Sequence, residues 1–192
     1  MFTGIVQGMG KVVSFVAGSL CLSIPDIESV EQGASISIDG VCLTVVGMLD
    51  DRVWFDVVDE TLSVTTLSKL SIGCKVNFER AAKVGDEIGG HEMSGHISCT
   101  ARIESSEDEM MTFSIESCWM KYITAKGFIG LDGCSLTVVD PTAAGFSVAL
   151  IPETLSRTNF GAKEVGALVN VEIDARTQAI VDTVERMMHL GE

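Results

Sequence analysis

The sequence repeats itself at a fixed offset of 93 residues, and this repeat restricts the fold more than any other feature. Residues 36–79 are identical to residues 129–172 at 16 of 44 positions, without a gap. Closer to the N-terminus the offset becomes 91, so that Gly4-Ile5-Val6 aligns with Gly95-His96-Ile97, and a two-residue insertion in a loop explains the change. Self-similarity at a fixed period is the signature of a duplicated structural unit. The chain is therefore predicted to contain two copies of one small domain.

Within each copy the hydrophobic pattern predicts β-strands. Met111 to Ile115 alternates apolar and polar residues, and the apolar runs around Ile36 and Leu43 are separated by Asp39-Gly40, a turn dipeptide. About six short strands in roughly 90 residues favour a small closed or nearly closed barrel. Short helices are expected at Asp59-Glu60-Thr61-Leu62 and at Pro152-Glu153-Thr154-Leu155.

The last segment has no counterpart in the first copy and is predicted to be an amphipathic helix. Its apolar residues fall on one helical face: Ile180, Val184, Met187 and Met188. Asp182 and Arg186 are spaced for an i,i+4 pair on another face. Such a helix needs an apolar surface to cover, and two readings stay open: it docks on its own barrel, or it assembles subunits.

The net charge and the pattern of cysteines restrict the classes of binding partner and the cellular compartment that we expect for this chain. The net charge of −14 and the lack of a basic patch argue against nucleic acid and anionic lipid, and favour a small molecule. No apolar run is long enough to span a membrane, and the N-terminus does not resemble a signal peptide. Six cysteines form no CxxC pair, which favours free thiols in a reducing cytosol. They are Cys21, Cys42, Cys74, Cys99, Cys118 and Cys134.

Two motifs that first suggest cofactor chemistry fail on spacing. His91 and His96 are five residues apart rather than four, so one helical face does not present both to a zinc ion, and no metal site is predicted. The glycines near Lys11 do not have the spacing of a phosphate-binding loop.

The polar element that remains is present in both copies. Cys42-Leu43-Thr44 and Ser135-Leu136-Thr137 each follow an Asp-Gly turn, so their polar side chains are predicted to reach a site at a barrel rim, with both leucines in the core. The alternative is a strand whose small polar residues face water. Retention of the element in both copies favours the site.

Several segments in order along the chain resemble the riboflavin synthase family. They are Met1-Phe2-Thr3-Gly4-Ile5-Val6, Gly40-Val41-Cys42-Leu43-Thr44-Val45, Glu79-Arg80-Ala81-Ala82-Lys83, Gly89-Gly90-His91-Glu92-Met93-Ser94-Gly95-His96, Lys126-Gly127-Phe128-Ile129-Gly130, Ile151-Pro152-Glu153-Thr154-Leu155 and Asn170-Val171-Glu172-Ile173-Asp174. Each motif is weak alone, but together they are specific and cover essentially the whole chain.

The resemblance implies a fold and a reaction. The fold is all-β: tandem duplicated six-stranded Greek-key β-barrels with short helices, plus a C-terminal α-helix. The implied domains are 1–90 and 91–177, each a lumazine-binding barrel, and 178–192, the oligomerising helix. Two molecules of 6,7-dimethyl-8-ribityllumazine react without an external cofactor, and four-carbon transfer gives riboflavin and 5-amino-6-(ribitylamino)uracil. The family further implies a cytoplasmic homotrimer with active sites between subunits, and an association with lumazine synthase stays open.

The resemblance also implies the site residues, position by position. In the first copy the substrate-binding positions are Gly4, Ile5, Val6, Cys42, Leu43, Thr44, Asp56, Val57, Val58, Asp59, Glu60 and Thr61. In the second copy they are Gly95, His96, Ile97, Lys126, Ser135, Leu136, Thr137, Ala149, Leu150, Ile151, Pro152, Glu153 and Thr154.

Catalytic roles are expected for His96, Cys42, Ser135, Thr137 and Asp174. His96 is the imidazole base among these positions, and the hydroxyls and the thiol can donate or relay protons. The two pockets are expected to differ where Cys42 aligns with Ser135 and Ile5 with His96. Which pocket holds the donor, and which group adds at C7, stay open.

A binding protein is the alternative function. Lumazine-carrying antenna proteins of bioluminescent bacteria are similar to this family and hold the ligand as a fluorophore. In them the Ser-Leu-Thr element of the second copy is altered, whereas Ser135-Leu136-Thr137, His96 and Lys126 are intact here. This difference favours the enzyme.

Overall fold

The computed structural model describes residues 1–27 and 30–190, and its first half is a closed six-stranded barrel. The strands are β1 (Gly8–Val16), β2 (Ser19–Ser23), β3 (Ser35–Ile38), β4 (Val41–Leu49), β5 (Arg52–Asp56) and β6 (Lys75–Arg80). Helix α1 (Asp59–Val64) and a 3-10 helix (Thr66–Lys69) link β5 to β6. All neighbouring strands are antiparallel, in the order β1-β2-β5-β4-β3-β6, so that the barrel has no free edge.

The second half repeats this circuit strand for strand. It contains β7 (Cys99–Glu107), β8 (Met110–Ser114), β9 (Phe128–Leu131), β10 (Cys134–Val139), β11 (Gly145–Ala149) and β12 (Leu168–Ile173). A 3-10 helix (Ser117–Tyr122), helix α2 (Pro152–Arg157) and a 3-10 helix (Asn159–Ala162) fill the connections. The order β10-β11-β8-β7-β12-β9 closes this barrel in the same way. The predicted pair of barrels and both predicted short helices are confirmed.

Each barrel has its own apolar core. The first is built from β-strand residues such as Leu20, Ile36 and Phe55, and the second from residues such as Phe113 and Phe146, whose rings stack at 5.4 Å. Leu43 lies in the first core as predicted, while Leu136 is half-buried against the second. All six cysteines are free thiols, as predicted.

The two predicted Asp-Gly turns meet where the barrels touch. Asp39 and Gly40 have φ angles of 44° and 82°, and Asp132 and Gly133 have 43° and 82°. Two successive positive φ angles define the tight hairpin turn that matches strand twist, which favours Asp-Gly. A Cβ atom on Gly40 would lie 2.8 Å from the backbone nitrogen of Gly133, so the close approach of the turns requires glycine.

A buried polar network fixes the barrels against each other. Oδ1 of Asp39 accepts hydrogen bonds from the backbone N–H of Asn77 at 2.7 Å and from Nδ2 of Asn159 at 2.9 Å. Asn77 Nδ2 donates to the Asp132 carbonyl at 2.9 Å, and the ammonium of Lys163 lies 2.8 Å from Asp132 Oδ2. Because buried polar groups are costly unless paired, this network holds one relative orientation of the barrels.

Helix α3 (Ala175–His189) follows β12 and docks on the second barrel through polar contacts. Tyr122 donates its hydroxyl hydrogen to Asp182, and Lys121 pairs with Glu185. The predicted apolar face of the helix is left exposed, with Met187 and Met188 68% and 69% accessible. The predicted terminal segment 178–192 ends in two residues outside the described part of the chain. Within the described ranges, no helix has the length and apolar character needed to cross a membrane.

Candidate active sites

The two Cys/Ser-Leu-Thr elements occupy equivalent places on β4 and β10. Cys42 and Ser135 are half-buried, and Thr44 and Thr137 are exposed. In each element the polar side chains therefore lie on the accessible side of a barrel wall.

The N-terminal segment of each copy crosses to the opposite barrel. The carbonyl of Gly4 accepts a hydrogen bond from the Ser135 N–H at 2.8 Å, and the carbonyl of Gly95 accepts one from the Cys42 N–H at 2.9 Å. Val6 belongs to the core of the second barrel. Aligning the two copies does not reveal this exchange, because the two aligned segments can form the same hydrogen bonds on either barrel.

Two buried glutamates hold the crossed segments in place. Glu79 accepts from Thr3 N at 2.6 Å and from Gly4 N at 3.0 Å, and Glu172 accepts from Ser94 N and Gly95 N at the same distances. Burial raises the pKa of both carboxyl groups, although these hydrogen bonds oppose the rise. In the sequence both residues are only identities of the repeat, so this anchoring role was missed.

Gly4 and Gly95 fit the crossings because they lack a side chain. Their φ angles are 75° and 81°. A Cβ atom on Gly4 would lie 2.4 Å from Ser135 Cβ, and a Cβ atom on Gly95 would lie 2.5 Å from Cys42 Cβ. Any larger residue would push the segment away from the rim.

The remaining predicted binding residues lie beside these elements. In the first barrel β5 pairs with β4, with Phe55 opposite Val45, which brings the segment that begins at Asp56 next to Thr44. In the second barrel Val148 is opposite Val138, which brings the segment that begins at Ala149 next to Thr137.

Those segments expose alternate side chains. Val57 and Leu150 are buried, whereas Val58 and Ile151 are 62% and 59% exposed. Asp59, Glu60 and Thr61 begin α1, and Pro152, Glu153 and Thr154 begin α2. Lys126 is exposed and donates its backbone N–H to the Val138 carbonyl at 2.9 Å, close to Thr137.

His96 and Ile5 mark the crossed segments as chemically different. Both side chains are exposed, and Ile5 is 49% accessible. His96 follows Gly95 at the Cys42 rim, whereas Ile5 follows Gly4 at the Ser135 rim. Among the described residues, no cluster of three or more histidine, cysteine or carboxylate side chains is placed to hold a metal ion.

His91 contacts the Ser135-Leu136-Thr137 element, which the sequence analysis did not predict. Its Nδ1 atom lies 2.7 Å from the Ser135 hydroxyl oxygen, and its ring stacks on Phe128 at 5.0 Å with an interplanar angle of 11°. Burial lowers the pKa of His91, although the charge of Asp174 opposes this. His91 lies in the motif that carries the family resemblance, and its spacing from His96 excludes only a zinc site on one helical face.

Asp174 caps helix α3. It accepts hydrogen bonds from Thr177 N at 2.9 Å and from Thr177 Oγ1 at 2.7 Å. Burial raises the pKa of Asp174, but these hydrogen bonds and the nearby His91 outweigh it and hold the pKa below its usual value. The carboxylate is therefore charged near neutral pH.

Comparison with known proteins agrees with the duplicated fold. The family model of the lumazine binding domain matches residues 3–81 and 94–174. Riboflavin synthase of Escherichia coli K12 is 50% identical over 203 residues, which cover 100% of this chain and 95% of that protein. Riboflavin synthase of Chlamydia pneumoniae is 43% identical over 194 residues, covering 98% of this chain and 97% of that protein.

Solved structures with the same architecture include LumP. Its complex with riboflavin has a TM-score of 0.81 at 30% identity, and the match covers 91% of this chain and 100% of LumP. Its complex with 6,7-dimethyl-8-(1'-D-ribityl) lumazine has a TM-score of 0.77 at 30% identity, covering 90% and 98%.

Proposed function

The chain belongs to the riboflavin synthase family of lumazine-binding proteins, and we propose that its two barrel rims bind the two lumazine molecules of that reaction. The chain is an enzyme of this type: it transfers a four-carbon unit between two molecules of 6,7-dimethyl-8-ribityllumazine. The products are riboflavin and 5-amino-6-(ribitylamino)uracil. The observation that carries the placement is the duplicated rim, in which Cys42 and Ser135 form the same hydrogen bond with a crossed glycine segment.

The crossing determines the composition of each proposed pocket. The first pocket combines Cys42-Leu43-Thr44 and 56–61 with Gly95-His96-Ile97. The second combines Ser135-Leu136-Thr137 and 149–154 with Gly4-Ile5-Val6. Lys126 extends from the loop beside Thr137.

Two related pockets suit a reaction between two identical molecules. Holding both rings in register removes the entropy cost of a bimolecular encounter, an effect worth up to about 7–11 kcal/mol. Donor and acceptor nevertheless play different roles, since one molecule loses a proton from its C7 methyl group and the other accepts a nucleophile at C7. The two rims differ chemically, since one has His96 beside Cys42 and the other has Ile5 beside Ser135. This difference allows one rim to hold the donor and the other the acceptor.

We propose His96 as the base that removes the methyl proton, with Cys42, Ser135 and Thr137 as proton donors or relays and Asp174 as a charge that acts on the second pocket. His96 is exposed at its rim and so can reach a bound ring. His96→Gln and Cys42→Ser should each lower kcat more than they raise KM. Full kcat in either variant would remove that residue from the mechanism.

Helix α3 supports the proposal of a homotrimer with active sites between subunits. Its polar side is used on its own barrel, while Ile180, Val184, Met187 and Met188 are all more than half accessible. An exposed apolar stripe of this kind marks an interface. Six free thiols support a cytoplasmic location. Association with lumazine synthase is a further proposal, and co-sedimentation of the two purified enzymes tests it.

Riboflavin formation separates the enzyme from an antenna protein. Purified protein mixed with the lumazine should develop riboflavin absorbance with many turnovers per site. A stable, fluorescent and unconverted complex would instead support the binding protein, which the similarity to LumP makes the specific competitor.

A further inference from the structure

Four positively charged side chains line one cleft where the two barrels meet. They are distant in sequence and come from both barrels: Lys69 at the end of a 3-10 helix, Lys75 at the start of β6, Arg102 on β7 and Lys163 directly after the 3-10 helix of residues 159–162. The cleft has a volume of about 370 Å³, which is within the range of small-ligand sites. The chain has only 13 lysine and arginine residues and a net charge of −14, so the fold concentrates positive charge here that no basic run in the sequence indicates.

The two lysines of the first barrel have no acidic partner. The side chains of Lys69 and Lys75 are exposed, and neither forms an ion pair or a side-chain hydrogen bond with any residue that the structure describes. Lys11, which is also exposed, lies directly opposite Lys75 in the β1–β6 pair. Like charges at opposite positions of two strands destabilise their pairing. A bound anion would offset this repulsion.

The two cations of the second barrel are held in place and still keep N–H groups for a ligand. Arg102 Nη1 donates to the Gly166 carbonyl at 2.8 Å, and Lys163 Nζ donates to the Leu168 carbonyl at 3.1 Å. The Lys163 ammonium also forms the ion pair with Asp132 described above. A guanidinium has five N–H groups and an ammonium has three, so these contacts leave donors on both side chains. Side chains that are already ordered lose less entropy when they bind a ligand.

The acidic groups beside these cations are buried and paired. Asp39 forms part of the cleft wall, and its Oδ1 atom accepts the hydrogen bonds from Asn77 and Asn159. Burial raises the pKa of Asp39 well above its usual value, and the charge of Asp132 adds to the rise. The side chain of Asp132 is 0% exposed and pairs with Lys163. The accessible part of the cleft therefore carries a net positive charge.

The positive charge of the cleft is not a requirement of the repeated fold. At the offset of 93 residues, Lys69 aligns with Ala162 of the second copy. Lys75 aligns in the same way with Leu168. The second barrel closes without a cation at either place. A structural role common to both copies therefore does not account for Lys69 and Lys75.

We propose that this cleft is a binding site for a phosphate group, carried by inorganic phosphate or by a phosphate monoester. Lys69 and Lys75 donate to the phosphate oxygens from the first barrel, and the remaining N–H groups of Arg102 donate from the second. Ammonium and guanidinium groups form strong, charge-assisted hydrogen bonds with phosphate, and the planar arginine fork fits two of its oxygens. None of these three residues belongs to either barrel rim, so the site is independent of the proposed lumazine pockets.

Phosphorus NMR titration of the whole protein at constant ionic strength tests the proposal. The probes are inorganic phosphate and glycerol 3-phosphate, a simple phosphate monoester, in separate titrations. At least one of them should bind with a Kd of about 1 mM or below, and the one that binds more tightly shows whether the free ion or a monoester is the better ligand. Lys69→Ala combined with Lys75→Leu should raise this Kd at least about tenfold, because two charge-assisted hydrogen bonds are lost. Both replacements are the residues of the second copy at the same positions, and an unchanged Tm in phosphate-free buffer verifies that the double variant folds.

Two controls separate the cleft from general charge and from the rims. Arg52→Leu removes an exposed cation of β5 that does not line the cleft, and should change the Kd less than about twofold because salt screens distant surface charges. The KM for the lumazine should be the same with and without phosphate. A wild-type Kd above about 10 mM for both probes, an unchanged Kd in the double variant, or an equal loss in Arg52→Leu would each overturn the proposal. Competition between phosphate and the lumazine that persists in the double variant would place the ion at a rim and overturn it as well.

Discussion

Replacing Lys163 by leucine should destabilise the protein more than replacing an exposed charged residue does. Lys163 occupies the place of Leu70 in the first copy, so leucine is a residue that this position in the repeat accommodates. Its ammonium lies 2.8 Å from Asp132 Oδ2, with the side chains 17% and 0% exposed. Removing one partner of a buried ion pair costs about 3–5 kcal/mol, because the other charge stays buried and uncompensated.

The size of the expected shift follows from the length of the chain. At about 2–4 °C per kcal/mol for a protein of this size, Lys163→Leu should lower Tm by about 6–20 °C at pH 8. Differential scanning calorimetry measures this directly. Arg176→Leu is the control, since Arg176 and Glu92 form an ion pair with side chains 81% and 52% exposed, worth at most about 1 kcal/mol.

The pH dependence of the stability loss tests whether the unpaired charge on Asp132 causes it. Burial raises the pKa of Asp132, and Lys163 lowers it again, so the variant should have a still higher pKa. A carboxyl group whose folded-state pKa is raised binds more protons folded than unfolded, and stability then falls as pH rises through that window. The loss of stability in Lys163→Leu should therefore be largest at pH 8 and become smaller toward pH 4.

A second substitution provides the refutation. Asp132→Asn keeps the oxygen that accepts from Asn170 N at 2.7 Å but removes the charge. Lys163→Leu combined with Asp132→Asn should regain most of the lost stability at pH 8. If the double variant is as unstable as Lys163→Leu, and the deficit does not change with pH, lost packing rather than an unpaired charge explains the result.

Three other substitutions test the crossed segments and the helix. Glu172→Gln replaces one carboxylate oxygen, which accepts a hydrogen bond from Ser94 N or Gly95 N, by an amide group that cannot accept one. The variant should raise KM about tenfold in steady-state assays, which is the equivalent of losing one hydrogen bond to a charged group. Gly90→Ala should abolish most activity, because the added carbon would lie 2.3 Å from the Thr3 carbonyl oxygen, whereas Gly89→Ala, with its nearest contact at 3.4 Å, should keep it. Met187→Glu should convert the assembled protein to monomers in light scattering without lowering Tm of the barrels, since the side chain is 68% exposed.

The barrels could be predicted from the sequence because their causes are local and repeated. The Asp39-Gly40 and Asp132-Gly133 turns, the alternation in β8, and the starts of α1 and α2 all depend on residues adjacent in the chain. Because the domain is duplicated, each of these local patterns occurs twice and supports the same prediction twice. Even the exposed apolar face of α3 follows from its helical period.

The crossed segments and His91 could not be predicted, because what places them is distant in sequence. Ser135 N donates to Gly4 O across 131 positions, and an aligned repeat gives the same hydrogen-bonding groups to either barrel. The link between His91 and Ser135 depends on the path of a linker that has no equivalent after the second barrel. Likewise, nothing near Lys163 in the sequence indicates that it meets Asp132.

The exchanged segments also explain why the duplication is useful within one chain. Two identical subunits that exchanged their N-terminal segments would form the same pair of rims, but every substitution would then change both rims at once. Fusion into one chain keeps the exchange, through Gly4 and Gly95, and lets each rim change alone. Cysteine can then stand in one rim and serine in the other, and the histidines can lie in different places, so a symmetric scaffold can treat two identical molecules differently.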